Sequence, residues 1–386
     1  MTLSSFAIVF ADEAQGMASS GYDFITTSTT VFGIPLSTEE EEDEEDEEGR
    51  DGDGGGDENE DDDDNDRSPL RIAFVKPSFT YAAYQLNGFY NFYENARDLP
   101  EGITNVTTNL SMLTVMVPDE TYTHYRDDPF DTPRVPSQQQ YYDTLRELVE
   151  ERGSSQDLDI EISDISDKEV HEGNIFDSTG NNAYDILFLF HQEYVTQAEY
   201  DNLKRFVVQN GGTIVFNDAN IFTTEVKYDS TINTITLVRG HGWAYDDRSY
   251  GAWHAESERW LDENQQWVGS NFIEIPANEN VTFSNNPFNY EHSEEQIVTN
   301  PSAKIIFDFG VAEYTPYEIG GELDNERLFP NFGKVAVYEM NSGKGKVINI
   351  GIFAHKLEDN DAFLEFYDEE ILPRALGMNS ARFIQR

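Results

Sequence analysis

The sequence has 386 residues, no cysteine and a formal net charge of −50. Without a thiol there is no disulfide, no thiolate metal site and no cysteine nucleophile. With so few basic residues the chain lacks the Lys/Arg patches that hold nucleic acid or an anionic membrane.

Between Glu39 and Asp66 there are 20 acidic residues against the single Arg50, and the rest of the sequence still carries −31. The folded part is therefore acidic in its own right, as suits high external salt, divalent cations or solubility. Met1 to Ala11 resembles the tail of a secretory signal's apolar region, although it has no basic n-region and is too short to span a bilayer. Asn105, Asn109 and Asn280 each open an N-x-Ser/Thr sequon and are glycosylation candidates. The expectation is an extracellular or cell-surface protein with no transmembrane segment, a cytoplasmic one being the alternative. Residues 1–69, poor in apolar side chains and strongly self-repelling, are expected to be a disordered acidic N-terminal region.

The globular part is expected over 70–386. Leu70 to Lys76 reads as a short apolar strand, and Phe79 to Tyr93 repeats aromatic residues at helical spacing. Met112 to Val117 reads as a strand, and the polar, proline-punctuated stretch Pro118 to Pro136 as a surface loop. Ser137 to Arg152 gives a helix with Tyr141, Leu145, Leu148 and Val149 on one side, and Leu158 to Ile162 alternates as a half-exposed strand does.

Ala183 to Phe222 then reads as strand, helix and strand. Ile186 to Phe190 is an apolar run of the kind buried on both faces of a parallel sheet, and Thr213 to Phe216 is similar. Between them Thr196 is placed as an N-cap, Glu199 completes a capping box, and Gly211-Gly212 stops the helix. From Thr223 to Asn300 the periodicity weakens and Trp, Tyr and Asn accumulate, so an aromatic-rich insertion is expected at about 223–300, with Thr234 to Val238 as a strand. Ala303 to Phe309 and Gly333 to Tyr338 read as antiparallel strands, Gly345 to Phe353 as a buried strand, and Asp361 to Ile371 as a helix stopped by Pro373.

Polar residues follow three of the buried strands: His191 and Glu193, Asp218 and Asn220, and His355. In a parallel sheet these ends share one edge and can converge on a cleft. Imidazole with carboxylate serves as general acid/base or binds a metal, and Asp218 and Asn220 can orient a water or donate to an oxyanion. The alternative is that the histidines cap strand ends and Glu193 is a solvated turn residue. A secondary group, His241, His254, Glu256 and Glu258, has metal-ligand chemistry without the spacing of a known motif, and partly exposed loop residues fit it as well. The nearby Trp residues suit stacking on sugar rings or filling a small core of their own.

The runs Tyr184 to Tyr194 and Asn210 to Asn220 resemble the class I glutamine amidotransferase-like superfamily. Within it they are most similar to the branch that contains the carboxyl-terminal domain of N,N-dimethylformamidase large subunits and the trehalose-utilisation-type proteins. That branch shows H-D-E-Y-W and G-A-N after these strands; this chain has His191-Gln-Glu-Tyr-Val195 and Asp218-Ala-Asn220. Gly343 to Leu372 resembles the last strand and helix, which puts His355 about where amidotransferases keep a catalytic histidine. Their nucleophilic cysteine is replaced here by the segment Asn217 to Asn220, so glutaminase chemistry is excluded. In the dimethylformamidase branch the resemblance implies a mononuclear iron held by tyrosines and a glutamate, at positions matching Glu193 and, more faintly, Tyr84.

The expected fold is α/β, a flavodoxin-like, doubly wound, mostly parallel sheet. Two functions are carried forward. One is an exported, non-glutaminase domain that binds a small polar or carbohydrate ligand. The other is a metal-dependent hydrolase of amide or related C–N bonds, using iron or zinc at Glu193 and Tyr84, with His191 or His355 as acid/base.

Overall fold

Strand β1 (Leu70–Lys76) is apolar on both sides, with Ile72 and Phe74 in one core cluster and Ala73 and Val75 in another, all fully buried. Such a strand has to be covered on both faces. The computed structural model describes residues 68–84, 107–110, 135–239, 259–274, 279–290, 294–310, 312–316 and 334–378. The chain divides into two units, Met1–Asp64 and Asn65–Arg386, and every described residue lies in the second. The predicted disordered segment up to Arg67, the strand Met112 to Val117 and the loop Pro118 to Arg134 lie outside the described residues.

After β1 come helix α1 (Ser78–Ala83), β2 (Thr107–Asn109), α2 (Val135–Ser155), β3 (Ile160–Ser166) and α3 (Asp167–His171). Then follow β4 (Ile186–Leu189), the short β5 (Tyr194–Val195), α4 (Gln197–Lys204), β6 (Thr213–Phe216), β7 (Thr224–Asp229) and β8 (Thr234–Arg239). The chain continues with α5 (Leu261–Trp267), β9 (Ser270–Glu274), β10 (Glu279–Phe283), β11 (Glu294–Val298), β12 (Lys304–Asp308) and β13 (Ala312–Pro316). It closes with β14 (Lys334–Ser342), β15 (Gly345–Ile350), α6 (Asp361–Phe366) and α7 (Leu372–Ala375).

The result is a mixed α/β fold. Among the described residues β3, β1, β4, β6 and β15 lie side by side in that order, all parallel. Antiparallel β14 extends this core beside β15, and β12, β11 and β9 complete a nine-stranded sheet. A second sheet has the order β2-β8-β7-β5, and β10 pairs with β13. The segment expected as an insertion thus contributes β9 and β11 to the main sheet; strands of five residues are too short to show a strong period.

The two faces of the parallel strands are covered by different helices. Tyr141, Leu145 and Val149 of α2 and Phe363 of α6, with Tyr367 and Ile371 after it, pack over Ile72, Phe74, Phe188, Val215 and Ile348. On the other face Val170 of α3, Tyr200 and Leu203 of α4, and Trp267 of α5 cover Ala73, Val75, Leu187, Ile214 and Phe216. Phe74 stacks on Phe188 across neighbouring strands, centroids 4.9 Å apart, and a fully buried Phe contributes about 1.5–3 kcal/mol.

Helix α4 begins as its sequence predicts. The Thr196 hydroxyl accepts the Glu199 N–H at 3.0 Å and the Glu199 carboxylate reaches back to the Thr196 N–H at 3.4 Å. It ends through a widened π-helical turn, Arg205–Gln209, and the left-handed Gly211 (φ 84°), whose N–H donates to the Val207 carbonyl. A methyl group on Gly212 would come within 2.2 Å of the Phe206 ring, so that glycine is also a packing requirement.

One expectation is corrected, and for two Trp residues the core-filling alternative is the one that holds. Pro373 does not stop the last helix. A wide turn, Tyr367–Ile371, leads into α7, where Pro373 occupies the first turn and its missing N–H is not needed. Trp260 and Trp267 do not present faces to a sugar, because both are buried: Trp260 stacks on Tyr200 at 4.4 Å and Trp267 Nε1 donates to the Tyr200 hydroxyl at 2.8 Å. Trp243 and Trp253 lie outside the described residues.

Candidate active site

Register aligns the ends of three strands, since Leu189 of β4 pairs with Phe216 of β6, which pairs with Asn349 of β15. Residues just beyond these positions emerge on one edge of the sheet. The backbone there is tightly held: Asn217 N–H donates to Leu189 O and Ala219 N–H to Ile352 O, both at 2.9 Å. His191 adopts a left-handed backbone (φ 42°), and the Glu193 N–H folds back onto its carbonyl at 2.9 Å. Asn220 and Phe222 are also left-handed, at φ 60° and 58°. Left-handed non-glycine residues cost roughly 1–3 kcal/mol each and cluster at functional sites more than elsewhere, which marks this edge as a candidate.

The side chains that result form a continuous chain of contacts. Asp218 Oδ2 meets His355 Nδ1 at 2.6 Å and His191 Nδ1 at 3.2 Å. The other nitrogen of His191 faces Glu193 Oε2 at 3.3 Å, and the Tyr84 hydroxyl, at the end of α1, donates to that same oxygen at 2.5 Å. Phe353 lies against both imidazoles, with centroids 5.3 Å and 5.6 Å away. His191, Glu193, Asp218 and His355 are all at most 1% exposed, so Glu193 is not a solvated turn residue.

Burial sets the electrostatics. It pushes the His191 imidazole down, but hydrogen bonds to Asp218 and Glu193 outweigh it and raise the pKa to about 9. Burial would also raise Asp218, yet the two imidazoles against it, His355 and His191, hold the carboxyl below its ordinary value. His355 itself is lowered, burial being the main cause. Asp218 is thus an ionised acceptor, His191 an imidazolium between two carboxylates, and His355 a neutral ring donating Nδ1–H to Asp218. His355 Nε2 and Asp218 Oδ1 are buried without a hydrogen-bond partner among the described residues.

The structure therefore brings together His191, Glu193, Asp218, His355 and Tyr84. Asn220 is buried with its Oδ1 unpartnered, and makes no hydrogen bond to the cluster among the described residues. His241, His254, Glu256 and Glu258 lie outside the described residues, as does Asn105. Asn109 is exposed in β2 and Asn280 lies in β10.

Supporting residues were not legible in the sequence. Asn217 is gripped by Tyr367, whose hydroxyl donates to its Oδ1 at 2.6 Å, and by Tyr141, which donates to its carbonyl at 3.1 Å. The Tyr290 hydroxyl accepts the Phe353 N–H at 2.9 Å and donates to the buried Glu295 carboxylate at 3.0 Å, bracing the turn that carries His355. Helical spacing marked Tyr141, but nothing in the sequence linked it to Asn217, and Tyr290 sits where the periodicity fails.

Residues 61–329 match the N,N-dimethylformamidase beta subunit-like, C-terminal family. No curated protein sequence matches the chain. Among solved structures, similarity is found to the GH42 beta-galactosidase Gan42B of G. stearothermophilus, at 15% identity over 78% of this chain and 30% of that one, with a TM-score of 0.32. A beta-galactosidase of the Antarctic haloarchaeon Halorubrum lacusprofundi gives 14% identity over 65% of this chain and 28% of that one, TM-score 0.30. A cytoplasmic protein of Salmonella typhimurium gives 10% identity over 61% and 85%, TM-score 0.32. The chain spans about a third of the length of the galactosidases, and at these scores none of the three bears on its fold or activity.

Proposed function

The chain belongs to the N,N-dimethylformamidase beta subunit-like, C-terminal family, and from that premise we propose that it hydrolyses an amide or related C–N bond at the buried cluster around Asp218. The observation that carries this is the convergence of two imidazoles, two carboxylates and a phenol at the edge of three adjacent parallel strands. The strand order β3-β1-β4-β6-β15 supports a flavodoxin-like, doubly wound reading, and with His355 it supports kinship to the class I glutamine amidotransferase-like superfamily without its cysteine chemistry.

Hydrolysis needs a water made nucleophilic and a proton delivered to the leaving nitrogen. His355, a neutral ring with Nε2 free, is the base that takes a proton from the water, and Asp218, with Oδ1 free to accept from the water, orients it. The Tyr84 hydroxyl, turning from Glu193 to the leaving nitrogen, gives up its proton there, and Glu193 passes one from the His191 imidazolium to the phenolate to restore it. The family relationship implies a metal on Glu193 and Tyr84. Two oxygens 2.5 Å apart and joined by a hydrogen bond are not by themselves a ligand set, so no step is derived from an ion at that pair.

The test is release of amine from small amides, beginning with N,N-dimethylformamide and formamide, by the purified full chain. Turnover that falls by roughly 100-fold or more in Glu193→Gln and Tyr84→Phe supports the proposal. No amine release by the wild type on any amide, with or without added zinc or iron, overturns it.

A further inference from the structure

We infer that His191, Asp218 and His355 together bind one divalent transition-metal ion of the zinc or iron(II) type, in place of the ion that the family relationship would assign to Glu193 and Tyr84. Each of the three offers a ligand atom, and these atoms all lie within 4.8 Å of one another. Ligand atoms held about 2.0–2.2 Å from a single ion stand roughly 3–3.5 Å apart. The Asp218 oxygen is 3.2 Å from one Nδ1 and 2.6 Å from the other, so ion binding needs the His355 ring to move outward and the ligand atoms, within 4.8 Å of one another, to close on the spacing of a single ion.

The donor set selects the ion. Two imidazoles and a carboxylate suit zinc or iron(II), whereas calcium and magnesium take oxygen ligands almost alone. All three side chains are at most 1% exposed, which excludes competing solvent, and Asp218 Oδ1 is an acceptor buried without a partner among the described residues. The Asp218 carboxylate has only the two imidazoles as ion-pair partners among the described residues, with no lysine or arginine beside it.

This placement gives Glu193 and Tyr84 a different task from the one the family relationship implies. If His191 ligates through Nδ1, its Nε2–H points at Glu193 Oε2, which is fixed in turn by the Tyr84 hydroxyl. A carboxylate behind a ligating histidine sets its tautomer and orientation. Glu193 and Tyr84 then also hold His191 in place, beside the proton transfer proposed for them, while Asn217, tied to Tyr367 and Tyr141, anchors the turn of Asp218.

The experiment is titration of the chelator-stripped full chain with Zn²⁺ by calorimetry and with Co²⁺ by visible absorption. The expected result is one ion per chain, binding lost in His191→Ala and His355→Ala, and affinity roughly 10–100-fold weaker in Glu193→Gln. Tyr84→Phe should still bind. X-ray absorption on the metal-loaded wild type, which needs no variant to fold, should show imidazole scattering.

Absence of stoichiometric binding overturns the inference, as does binding indifferent to either histidine in a folded variant. So does a visible phenolate-to-iron(III) band that Tyr84→Phe abolishes, because it would put the ion on the tyrosine. A protein that binds the ion but cleaves no amide leaves this inference standing and removes the proposed function. Full hydrolytic rate in a chain that binds no metal does the reverse.

Discussion

Two groups of buried carboxylates lie on this sheet and meet opposite fates. Around Asp218 the neighbours are histidines, and the carboxyl is held below its ordinary value. Under α1, Asp167 and Glu199 are fully buried and sense each other's charge, and burial raises both well above the usual carboxylate range. Asp167 accepts the Phe79 N–H at 2.6 Å, capping α1 from another helix, and Glu199 closes the box that starts α4. Each keeps one oxygen without a hydrogen-bond partner among the described residues. Burial is common to both sites, so the partner decides whether a carboxyl carries charge or a proton. The charged site is the one proposed for catalysis, and the protonated one ties α1, which leads to Tyr84, to the sheet.

The contrast breaks most severely at Asp218. Asp218→Ala takes one of its two carboxylates from the buried His191 imidazolium and the acceptor from His355, and should cost about 3–5 kcal/mol in urea unfolding. A loss below about 1 kcal/mol would mean that His191 is not charged through this carboxylate. Next, Tyr84→Phe removes the hydroxyl on Glu193 and should cost roughly 1.5–3 kcal/mol.

The acid pair predicts a pH dependence. Because the folded pKa values of Asp167 and Glu199 are raised, their contribution is complete below the ordinary carboxylate range and is lost as pH rises through the folded values. Unfolding of the wild type and Glu199→Gln should diverge as pH rises, in the variant's favour, by up to about 1.4 kcal/mol per pH unit for one proton. Parallel curves would show that Glu199 is ionised in the fold. The smallest effect is Thr196→Ala, which removes the cap beside Glu199 and should lower stability by about 1 kcal/mol.

Much of the site was legible because its residues follow apolar runs that could only be central strands, as with His191 after Ile186–Leu189 and Asp218 after Thr213–Phe216. The capping box of Thr196 and Glu199 was readable too, since its spacing is local. What could not be read is contact across the fold. Asp167 gives no sign in sequence that it caps α1, 88 residues away, and Glu199 none that it lies near another acid. Likewise β9 and β11 are too short to announce themselves, so the Tyr290–Glu295 brace behind His355 was hidden in what read as an insertion.

The most direct test of the central claim is the amide-hydrolysis rate of Asp218→Asn against the wild type, measured as amine release with both proteins shown to be folded by circular dichroism. The isosteric amide keeps the shape of the cluster and removes its charge, and kcat/KM should fall at least about 100-fold. A folded Asp218→Asn that releases amine at the wild-type rate would contradict the assignment of this cluster as the working site.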